Sequence, residues 1–301
     1  MKTLPAQDVI YAFSKSHEPI LHVASGETVK IDTFDCFKNQ IQSEDQEVSA
    51  INWDQVNPAT GPVFIEGAAP GDVLKVTIEE LEIGDQGVMV TGPELGVMGH
   101  RMEAMESKII PIQNGKALFN DRLHLPLNPM IGVIGVAPEG EPVSCGTPGA
   151  HGGNMDTKLI TKGATLYFPV AAEGALFALG DFHAAMGDGE ISVSGIEVPG
   201  SATVRFEVIK GSRLKYPLLK NEDGLAFLVS AMTLDEAVSI AVEEMIDLLQ
   251  PQSELTVSEM TMLMSASGET QISQVVDPLV TARFFVPNHV LDGLDFQLFK
   301  N

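Results

Sequence analysis

Short β-type runs, separated by glycine and proline, fill the chain from residue 1 to about residue 210. The clearest is 73–81, where Leu74, Val76 and Ile78 alternate with lysine, threonine and glutamate. A period of two is typical of a strand with one buried face. The other runs are 22–23, 28–32, 63–66, 88–91, 108–112, 130–136, 165–170, 175–179, 191–198 and 203–209. The pattern predicts a mainly β fold, an antiparallel β-sandwich or jelly-roll-like body rather than a doubly wound sheet.

Helix signals followed by strand signals distinguish the last third of the chain. Thr233 is followed three residues later by Glu236, which predicts a capping box, and Pro251 ends the apolar periodicity. The predicted elements are helix 234–250, a helix from a cap at Ser253 or Thr256 to Gly268, and strands 271–276 and 281–286. We therefore expect a C-terminal α+β unit at 213–301, packed on a sandwich body at 1–212 that carries the functional site.

The charge balance limits the class of partner. The 301 residues include 41 Asp and Glu against 18 Lys and Arg, a formal net charge of −23 at pH 7. Binding to nucleic acid or to an anionic membrane requires an excess of lysine and arginine in the protein, so neither is expected as a partner. The acidic balance is consistent with solubility and with a cationic or metal ligand.

Two cysteines and an ordinary N-terminus indicate the compartment. Cys36 and Cys145 are the only cysteines, and neither is part of a CxxC motif. The first residues lack the apolar region of a signal peptide, and the longest apolar stretches are too short to span a membrane. We expect a soluble cytoplasmic protein with free thiols.

Two glycine-rich stretches set a histidine among carboxylates. They are 144–156 and 180–190, and nine glycines lie between Cys145 and Glu190. Glycine weakens regular structure but lets the backbone approach a ligand closely, so this density predicts a shaped polar pocket. Its candidate metal ligands or acid/base groups are His151, Asp156, Asp181, His183 and Glu190.

Asp181 and His183 are two residues apart in a stretch expected to be extended. Their side chains would then project from one face, where they could bind a divalent ion together or where the aspartate could orient the histidine. The turn at 187–189 can direct Glu190 back over this face. The alternative is a buried histidine that is hydrogen-bonded to its neighbour, followed by an ordinary hairpin turn. The second histidine–carboxylate pair nearby favours the functional interpretation.

The loop that runs from His151 to Asp156 offers an imidazole, an amide and a carboxylate. An imidazole and a carboxylate on a glycine-rich loop suit a hard or borderline cation. Asn154 could hold a substrate carbonyl or amide, since its side chain both donates and accepts hydrogen bonds. The alternative is a turn in which Asn154 and Asp156 only satisfy backbone N–H groups.

Asp35 has phenylalanine and cysteine as neighbours, so its carboxylate needs a partner, which a metal, an arginine or a helix cap would each provide. Cys36 could act as a nucleophile, but no base is visible, and a small buried cysteine is the simpler interpretation. The chain has no GxSxG, HExxH or P-loop motif. Metal-activated water therefore fits the residue types better than covalent catalysis.

Longer blocks along the whole chain are also distinctive. They are Phe34-Asp-Cys-Phe37 with Asn39-Gln40, Val56-Asn-Pro-Ala-Thr-Gly-Pro62, Ile65-Glu-Gly67, Pro70-Gly-Asp-Val73, Pro129-Met-Ile-Gly-Val-Ile-Gly-Val-Ala-Pro138, Thr147-Pro-Gly-Ala-His-Gly-Gly-Asn-Met-Asp156, Gly180-Asp-Phe-His-Ala-Ala-Met-Gly-Asp-Gly-Glu190 and Gln274-Val-Val-Asp-Pro278. Through these blocks, nearly end to end, the chain resembles the acetamidase/formamidase family. The resemblance implies hydrolysis of small aliphatic amides, formamide or acetamide, to the carboxylate and ammonia. It also implies a β-sandwich, homo-oligomeric assembly and a divalent metal, zinc with calcium as a companion ion.

The histidine and carboxylate clusters lead to a mechanistic hypothesis. The metal ligands would be Asp35, His151, Asp181 and His183. Glu190 would be the general base toward a metal-activated water and then the acid toward the departing ammonia, with Asp156 as the second catalytic carboxylate. The developing oxyanion would be bound by Asn39, Asn154 or the backbone N–H groups of Gly152 and Gly153.

Two alternatives from other classes stay open. One is a covalent amidase that uses Cys36, for which a thiol reagent would abolish activity and a chelator would not. The other is a non-catalytic metal-binding β-sandwich, which would release no ammonia from formamide or acetamide even when it is fully metallated.

Overall fold

Two β-sheets packed face to face form most of the molecule, which a computed structural model describes for residues 1–299. The strands are β1 (Lys2–Leu4), β2 (Val9–Ile10), β3 (Ala12–Phe13), β4 (Leu21–Ala24), β5 (Thr28–Thr33), β6 (Ala59–Glu66), β7 (Val73–Ile83), β8 (Gln86–Thr91), β9 (Glu106–Gln113), β10 (Lys116–Leu118), β11 (His124–Pro126), β12 (Met130–Gly135), β13 (Val143–Ser144), β14 (Gly152–Asn154), β15 (Thr165–Pro169), β16 (Phe177–His183), β17 (Glu197–Val198), β18 (Gly200–Ile209), β19 (Leu218–Lys220), β20 (Gly224–Ala231), β21 (Glu269–Gln274) and β22 (Val280–Pro287). The α-helices are α1 (Leu234–Leu249), α2 (Val257–Ser267) and α3 (Asn288–Gly293), and the short 3₁₀ helices are Val48–Ala50, Trp53–Gln55, Gly99–Arg101 and Gln250–Gln252.

The first sheet has the strand order β1-β5-β18-β7-β15-β19-β20-β22-β21. The second sheet has the order β11-β10-β9-β8-β17-β16-β12-β14, and β6 joins it beside β16 and carries β2 and β4. The pairing is antiparallel except between β1 and β5 and between β4 and β6. The prediction of a mainly β, antiparallel sandwich is confirmed.

An apolar core lies between the two sheets. In β7, Leu74, Val76 and Ile78 have no exposed surface, so the period of two in the sequence places them inward. They pack in one cluster with Ile131 and Ile134 of β12, on the opposite sheet. Fully burying one such side chain stabilises the fold by about 1.5–3 kcal/mol.

A second apolar cluster lies between the helices and the far end of the first sheet. The buried face of α1 includes Ala237, Ala241 and Met245, and it packs on β20 and β22. Together, these helices and strands confirm the predicted C-terminal α+β unit. Among residues 1–299, no helix has both the length and the apolar character needed to cross a membrane.

The helix caps differ in one respect from the prediction. Thr233 Oγ1 accepts a hydrogen bond from the Glu236 backbone N–H at 3.2 Å, but the reciprocal bond of a capping box is missing from α1. The complete box is at the start of α2, where Thr256 and Glu259 satisfy each other's backbone N–H groups. The capping box predicted for α1 is therefore only half formed.

The first sheet continues across the predicted boundary at residue 212. β15, from the N-terminal part, is hydrogen-bonded along β19, from the C-terminal part. A division into 1–212 and 213–301 stays a prediction, because one sheet contains strands from both segments.

The strand predicted at 191–198 is wrong except for its last two residues, which form β17. Val193 has a left-handed φ of 78°, which extended backbone does not allow. Ile196 and Val198 pack in the core, so Glu197 between them faces the outer side of the second sheet.

Candidate active site

The outer face of β16 supplies the first two side chains of the site. Phe177 and Leu179 point into the sandwich core. After Gly180 the inward-pointing residues are Phe182 and Ala184, so the inward positions change from odd to even numbers. This change of parity occurs at Asp181, whose φ is 59°. Asp181 and His183 therefore both lie on the outer face, and His183 Nε2 is 3.6 Å from Asp181 Oδ1.

Four carboxylates surround the imidazole of His183. Its Nε2 lies 3.2 Å from Glu197 Oε1 and 3.6 Å from Asp181 Oδ1. The distances to Asp156 Oδ1 and Glu190 Oε1 are both 3.8 Å. All five residues are buried, and no lysine or arginine of residues 1–299 forms an ion pair with any of them. The cluster therefore carries a large excess of potential negative charge.

Three of these carboxylates are on residues with left-handed backbone. The φ values are 37° for Asp156, 59° for Asp181 and 46° for Glu190. Such conformations are costly for residues other than glycine and persist only where the surrounding structure holds them. Backbone strain at three residues of one cluster is typical of a functional site.

Sequence reasoning missed Glu197 and Asp277. Glu197 pairs directly with His183 in the ladder between β17 and β16, and its position between Ile196 and Val198 was a signal, since a lone charge in an apolar run needs a partner. Asp277 is half-buried in the turn after β21, and its Oδ2 accepts a hydrogen bond from Asn154 Nδ2 at 3.0 Å. The predicted C-terminal unit thus reaches the site.

The electrostatics follow from burial and crowding. Burial by itself lowers the pKa of His183, but the neighbouring Glu197 and Asp181 outweigh it and raise that pKa well above its ordinary value. Burial, followed by the charge of Asp156, raises the pKa of Glu190 well above its ordinary value. A single imidazolium balances one of four buried carboxylates, so the set requires further positive charge or shared protons.

The site fits a divalent cation. Within residues 1–299, Asp156 Oδ1, Asp181 Oδ1 and Glu197 Oε2 are buried and have no hydrogen-bond partner. Ligand atoms about 2.0–2.2 Å from a tetrahedral zinc lie roughly 3.3–3.6 Å from one another. The separations of 3.2–3.8 Å around His183 Nε2 are close to that range.

Asp35 lies close enough to the cluster for the charge of Asp181 to add to burial in raising its pKa, but Asp35 and Asn39 satisfy each other. Asn39 N–H donates to Asp35 Oδ1 at 2.6 Å, and Asp35 N–H donates to Asn39 Oδ1 at 3.0 Å. Burial raises the pKa of Asp35 to about 6, against the lowering effect of the hydrogen bonds from Asn39 and Phe37. Of the partners that the sequence allowed for Asp35, the backbone provides the one observed, as in a cap.

His151 lies in a different environment from His183. Its ring packs edge-on against Phe13 at 5.2 Å, and it lines a cavity of about 1150 Å³ that none of the four carboxylates reaches. Burial lowers the pKa of His151 to about 4, which makes it a neutral imidazole. The structure thus separates His151 from Asp181 and His183, with which it was grouped from sequence.

The two glycines predicted to bind an oxyanion belong to β14, where they pair with β12. The Gly152 N–H donates to Gly149 O at 3.0 Å, so it is already engaged. A Cβ at Gly153 would lie 2.9 Å from His151 Nε2, which explains why glycine is needed there. An oxyanion role for these amides stays a prediction.

Cys36 lies beside the cluster but is not activated as a nucleophile. Its Sγ donates a hydrogen bond to Asn57 Oδ1 at 2.7 Å. Burial, together with the charges of Asp181 and Glu197, raises the pKa of the Cys36 thiol well above its ordinary value. Since the thiolate is the nucleophile, this position disfavours the covalent alternative. Cys36 and Cys145 are both free.

The fold recurs in solved structures. The chain is 51% identical to a predicted acetamidase/formamidase from Thermoanaerobacter tengcongensis, with a TM-score of 0.97 and coverage of 99% of both chains. It is 44% identical to an acetamidase from Bacillus halodurans, with a TM-score of 0.96 over 98% of this chain and 100% of that one.

Curated relatives match over a smaller share. The chain is 26% identical to the formamidase of Methylophilus methylotrophus over 262 residues, which are 65% of this chain and 63% of that protein. The chain thus spans less than two thirds of the length of the curated formamidases that it matches. The model of the Acetamidase/Formamidase family matches residues 12–144 and 141–293. The chain belongs to the Acetamidase/Formamidase family.

Proposed function

We propose that this protein hydrolyses small aliphatic amides, formamide or acetamide, to the carboxylate and ammonia with the help of a divalent metal ion. Family membership and the names formamidase and acetamidase among its relatives support the reaction. The observation that carries the proposal is the buried cluster of His183 and four carboxylates, each of which has an oxygen 3.2–3.8 Å from His183 Nε2. Within residues 1–299, Asp156 Oδ1, Asp181 Oδ1 and Glu197 Oε2 have no hydrogen-bond partner.

The ion would be held by His183, Asp181 and Glu197. Asp181 and Glu197 are the two carboxylates nearest to His183 Nε2, at 3.6 and 3.2 Å. Each has one oxygen without a hydrogen-bond partner within residues 1–299. Imidazole with carboxylate oxygens suits zinc, and the oxygen-rich surroundings also suit calcium. When bound, the ion would polarise the amide carbonyl and make water more acidic.

This ligand set differs from the one derived from sequence. Glu197 takes the place of Asp35 and His151, because Asp35 is capped by backbone N–H groups and His151 lines another cavity. Asp181 and His183 stay in the set. The change follows from burial and distance, which the residue pattern alone does not contain.

Proton transfer would fall to Glu190. Its Oε1 lies 3.8 Å from His183 Nε2, and Glu190, at 7%, is the most exposed of the four carboxylate residues. Glu190 would take a proton from the attacking water and return it to the departing nitrogen, so that ammonia leaves. Asp156, beside it, would bind the attacking water and orient it toward the carbonyl carbon.

Substrate binding would use Asn154. Its Nδ2 donates to Asp277, which fixes the orientation of the amide, while its Oδ1 is buried and unpartnered within residues 1–299. That oxygen can accept a hydrogen bond from the –NH₂ group of an amide, which an ester or a carboxylic acid lacks.

Ammonia release from a series of amides tests the proposal. We expect turnover of formamide and acetamide by metal-loaded protein, loss after chelation and recovery on adding zinc. Glu190→Gln keeps the size of the side chain and removes the base, so kcat should fall by about 10²- to 10⁴-fold. Glu173→Gln, at an exposed position, is the matched control and should keep the wild-type rate.

Two results would contradict the proposal. Wild-type kcat in Glu190→Gln would remove Glu190 from the mechanism. No ammonia from any amide in fully metallated protein would reject the function and favour a non-catalytic metal-binding protein.

Homo-oligomeric assembly and a cytoplasmic location stay predictions. The family resemblance supports the first, and the sequence supports the second. Multi-angle light scattering at several concentrations measures the first directly.

A further inference from the structure

A buried arginine on β22 is connected to the backbone segments of two site carboxylates. We infer that Arg283 is a positioning residue that holds Glu190 and Asp156 for amide hydrolysis, an inference that rests on the proposed function. It touches neither carboxylate itself and acts through the segments that carry them.

The guanidinium of Arg283 is buried, with the residue only 1% exposed. Its Nε donates to Gln271 Oε1 at 2.7 Å, and its Nη1 donates to Ile272 O at 3.2 Å and Ser273 Oγ at 3.1 Å. Its Nη2 donates to Asp188 Oδ2 at 2.8 Å. Burying a charged group is costly unless it is paired and hydrogen-bonded, and Arg283 meets that condition with four partners.

The bond to Asp188 fixes the turn that delivers Glu190. Asp188 lies two residues before Glu190, and the intervening Gly189 is tied to β21 from both sides. Gly189 N–H donates to Ser273 O at 2.8 Å, and Gly189 O accepts from Val275 N–H at 3.1 Å. Arg283 thus holds the side chain of Asp188, at the start of the turn, while hydrogen bonds to Ser273 and Val275 hold the backbone of Gly189.

The bond to Ser273 leads to the other carboxylate. Ser273 Oγ accepts from Arg283 Nη1 and also from Thr157 Oγ1, at 2.8 Å. Thr157 directly follows Asp156 in the chain and is fully buried. Arg283 is therefore linked to the segment of Glu190 through the side chain of Asp188. It is linked to the segment of Asp156 through the side chain of Ser273, which bonds to Thr157.

The backbone conformations of Asp156 and Glu190 explain why their segments need to be held in place. Asp156 and Glu190 have φ values of 37° and 46°, conformations that persist only where neighbouring structure enforces them. Removing Arg283 would loosen both segments at once. Since a displacement of about 1 Å can cost roughly 100-fold in rate, catalysis would be more sensitive to this loss than folding.

Four variants separate positioning from stability. Arg283→Met should lower kcat for acetamide about 100-fold with KM within about threefold, and Arg283→Lys should recover part of that loss because it keeps the charge. Arg283→Met with Asp188→Asn removes both charges, so the melting temperature should recover while kcat stays low. Lys158→Met removes the other, solvent-facing partner of Asp188, which lies 2.9 Å away, and should keep the wild-type kcat.

Hydrogen–deuterium exchange provides a readout that does not depend on activity. Exchange in segments 155–158 and 187–191 should increase in Arg283→Met and in the double variant, but not in Lys158→Met. Recovery of kcat together with melting temperature in the double variant, or unchanged exchange in both segments, would overturn the inference. If wild-type protein released no ammonia from any amide, the proposed function would fail, and the exchange comparison alone would decide the role of Arg283.

Discussion

Two glycines let the side chains of the candidate site approach the backbone. A Cβ at Gly132 would contact Asp156 Oδ1 and lie 2.5 Å from Asp181 Oδ2. A Cβ at Gly195 would lie 2.6 Å from His183 Nδ1. These distances are shorter than van der Waals contact, so the requirement for glycine at these two positions is steric and comes from the site itself.

We predict that Gly132→Ala lowers kcat for acetamide by about 100-fold, because the added methyl group would displace two carboxylates at once. Gly140→Ala is the matched control, since a Cβ at Gly140 has no neighbour within 4 Å. The measurement is steady-state ammonia release, with the metal content determined on the same samples.

The two glycine variants also distinguish a steric effect from a general loss of stability. A fall in kcat in both variants would indicate an effect of backbone entropy rather than of the carboxylates. Wild-type kcat in Gly132→Ala would show that Asp156 and Asp181 can move without cost, which contradicts the strained geometry.

At single residues, the sequence predicts what lies within one strand and its turn. Asp181, His183 and Glu190 belong to one block, and the structure brings their side chains together. Glu197 and Asp277 join them through strand pairing and a long-range turn, which no local pattern contains. The left-handed φ at Asp181 was also invisible, although it decides which side chains of β16 face outward.

At the scale of elements, the strand periodicity predicts the inner sheet faces well and the covering loops poorly. β7 and α1 form as expected, because their apolar residues have a regular period and a neighbouring face to pack against. The predicted strand 191–198 forms only at its last two residues, because the left-handed φ of Val193 interrupts the extended backbone. The hairpin of β21 and β22 supports the turn before Glu190 through Arg283 and Ser273, a role that no pattern in its sequence predicts.

The cap of α1 gives a prediction that concerns stability alone. Thr233→Ala removes the hydroxyl that accepts from Glu236 N–H, so the free energy of unfolding should fall by about 1 kcal/mol. Ser239→Ala, in the same helix, deletes a hydroxyl that only bonds back to Asp235 O and should change it by less than about 0.5 kcal/mol.

Urea unfolding followed by circular dichroism measures both changes, and ammonia release should be normal in the two variants because α1 contributes no site residue. Equal destabilisation by the two substitutions would show that the N-terminal cap has no special weight. A loss of activity in Thr233→Ala would connect α1 to the site in a way that its contacts do not indicate.

At the scale of the whole molecule, the site and the cores are separate. The side chains of Phe177, Leu179 and Phe182 on β16 pack in the core between the sheets, whereas Asp181 and His183 lie on the opposite face of the strand. We therefore expect the sandwich to form without an ion. The outer face of the second sheet, by contrast, keeps several carboxylates close together and gains stability from any cation that binds there.

We therefore predict that metal removal shifts the melting temperature without unfolding the protein. A free ion concentration 100 times the dissociation constant stabilises the folded state by about 2.7 kcal/mol. For a chain of 301 residues, that corresponds to a shift of roughly 4 °C. Calorimetry of chelated and zinc-loaded protein measures the shift. Ionic strength must be constant, because screening of the net charge of −23 would itself raise the melting temperature.

Glu197→Gln and Glu173→Gln complete this experiment. The first removes one proposed ligand charge and should reduce the zinc-dependent shift, whereas the second changes an exposed charge and should leave it as in the wild type. Equal melting temperatures for chelated and loaded wild-type protein would mean that the cluster binds no ion, and its buried carboxylates would then have to share protons. A full shift that persists in Glu197→Gln would place the ion on Asp156 and Glu190 instead, because these are the remaining carboxylates within 3.8 Å of His183 Nε2 besides Asp181.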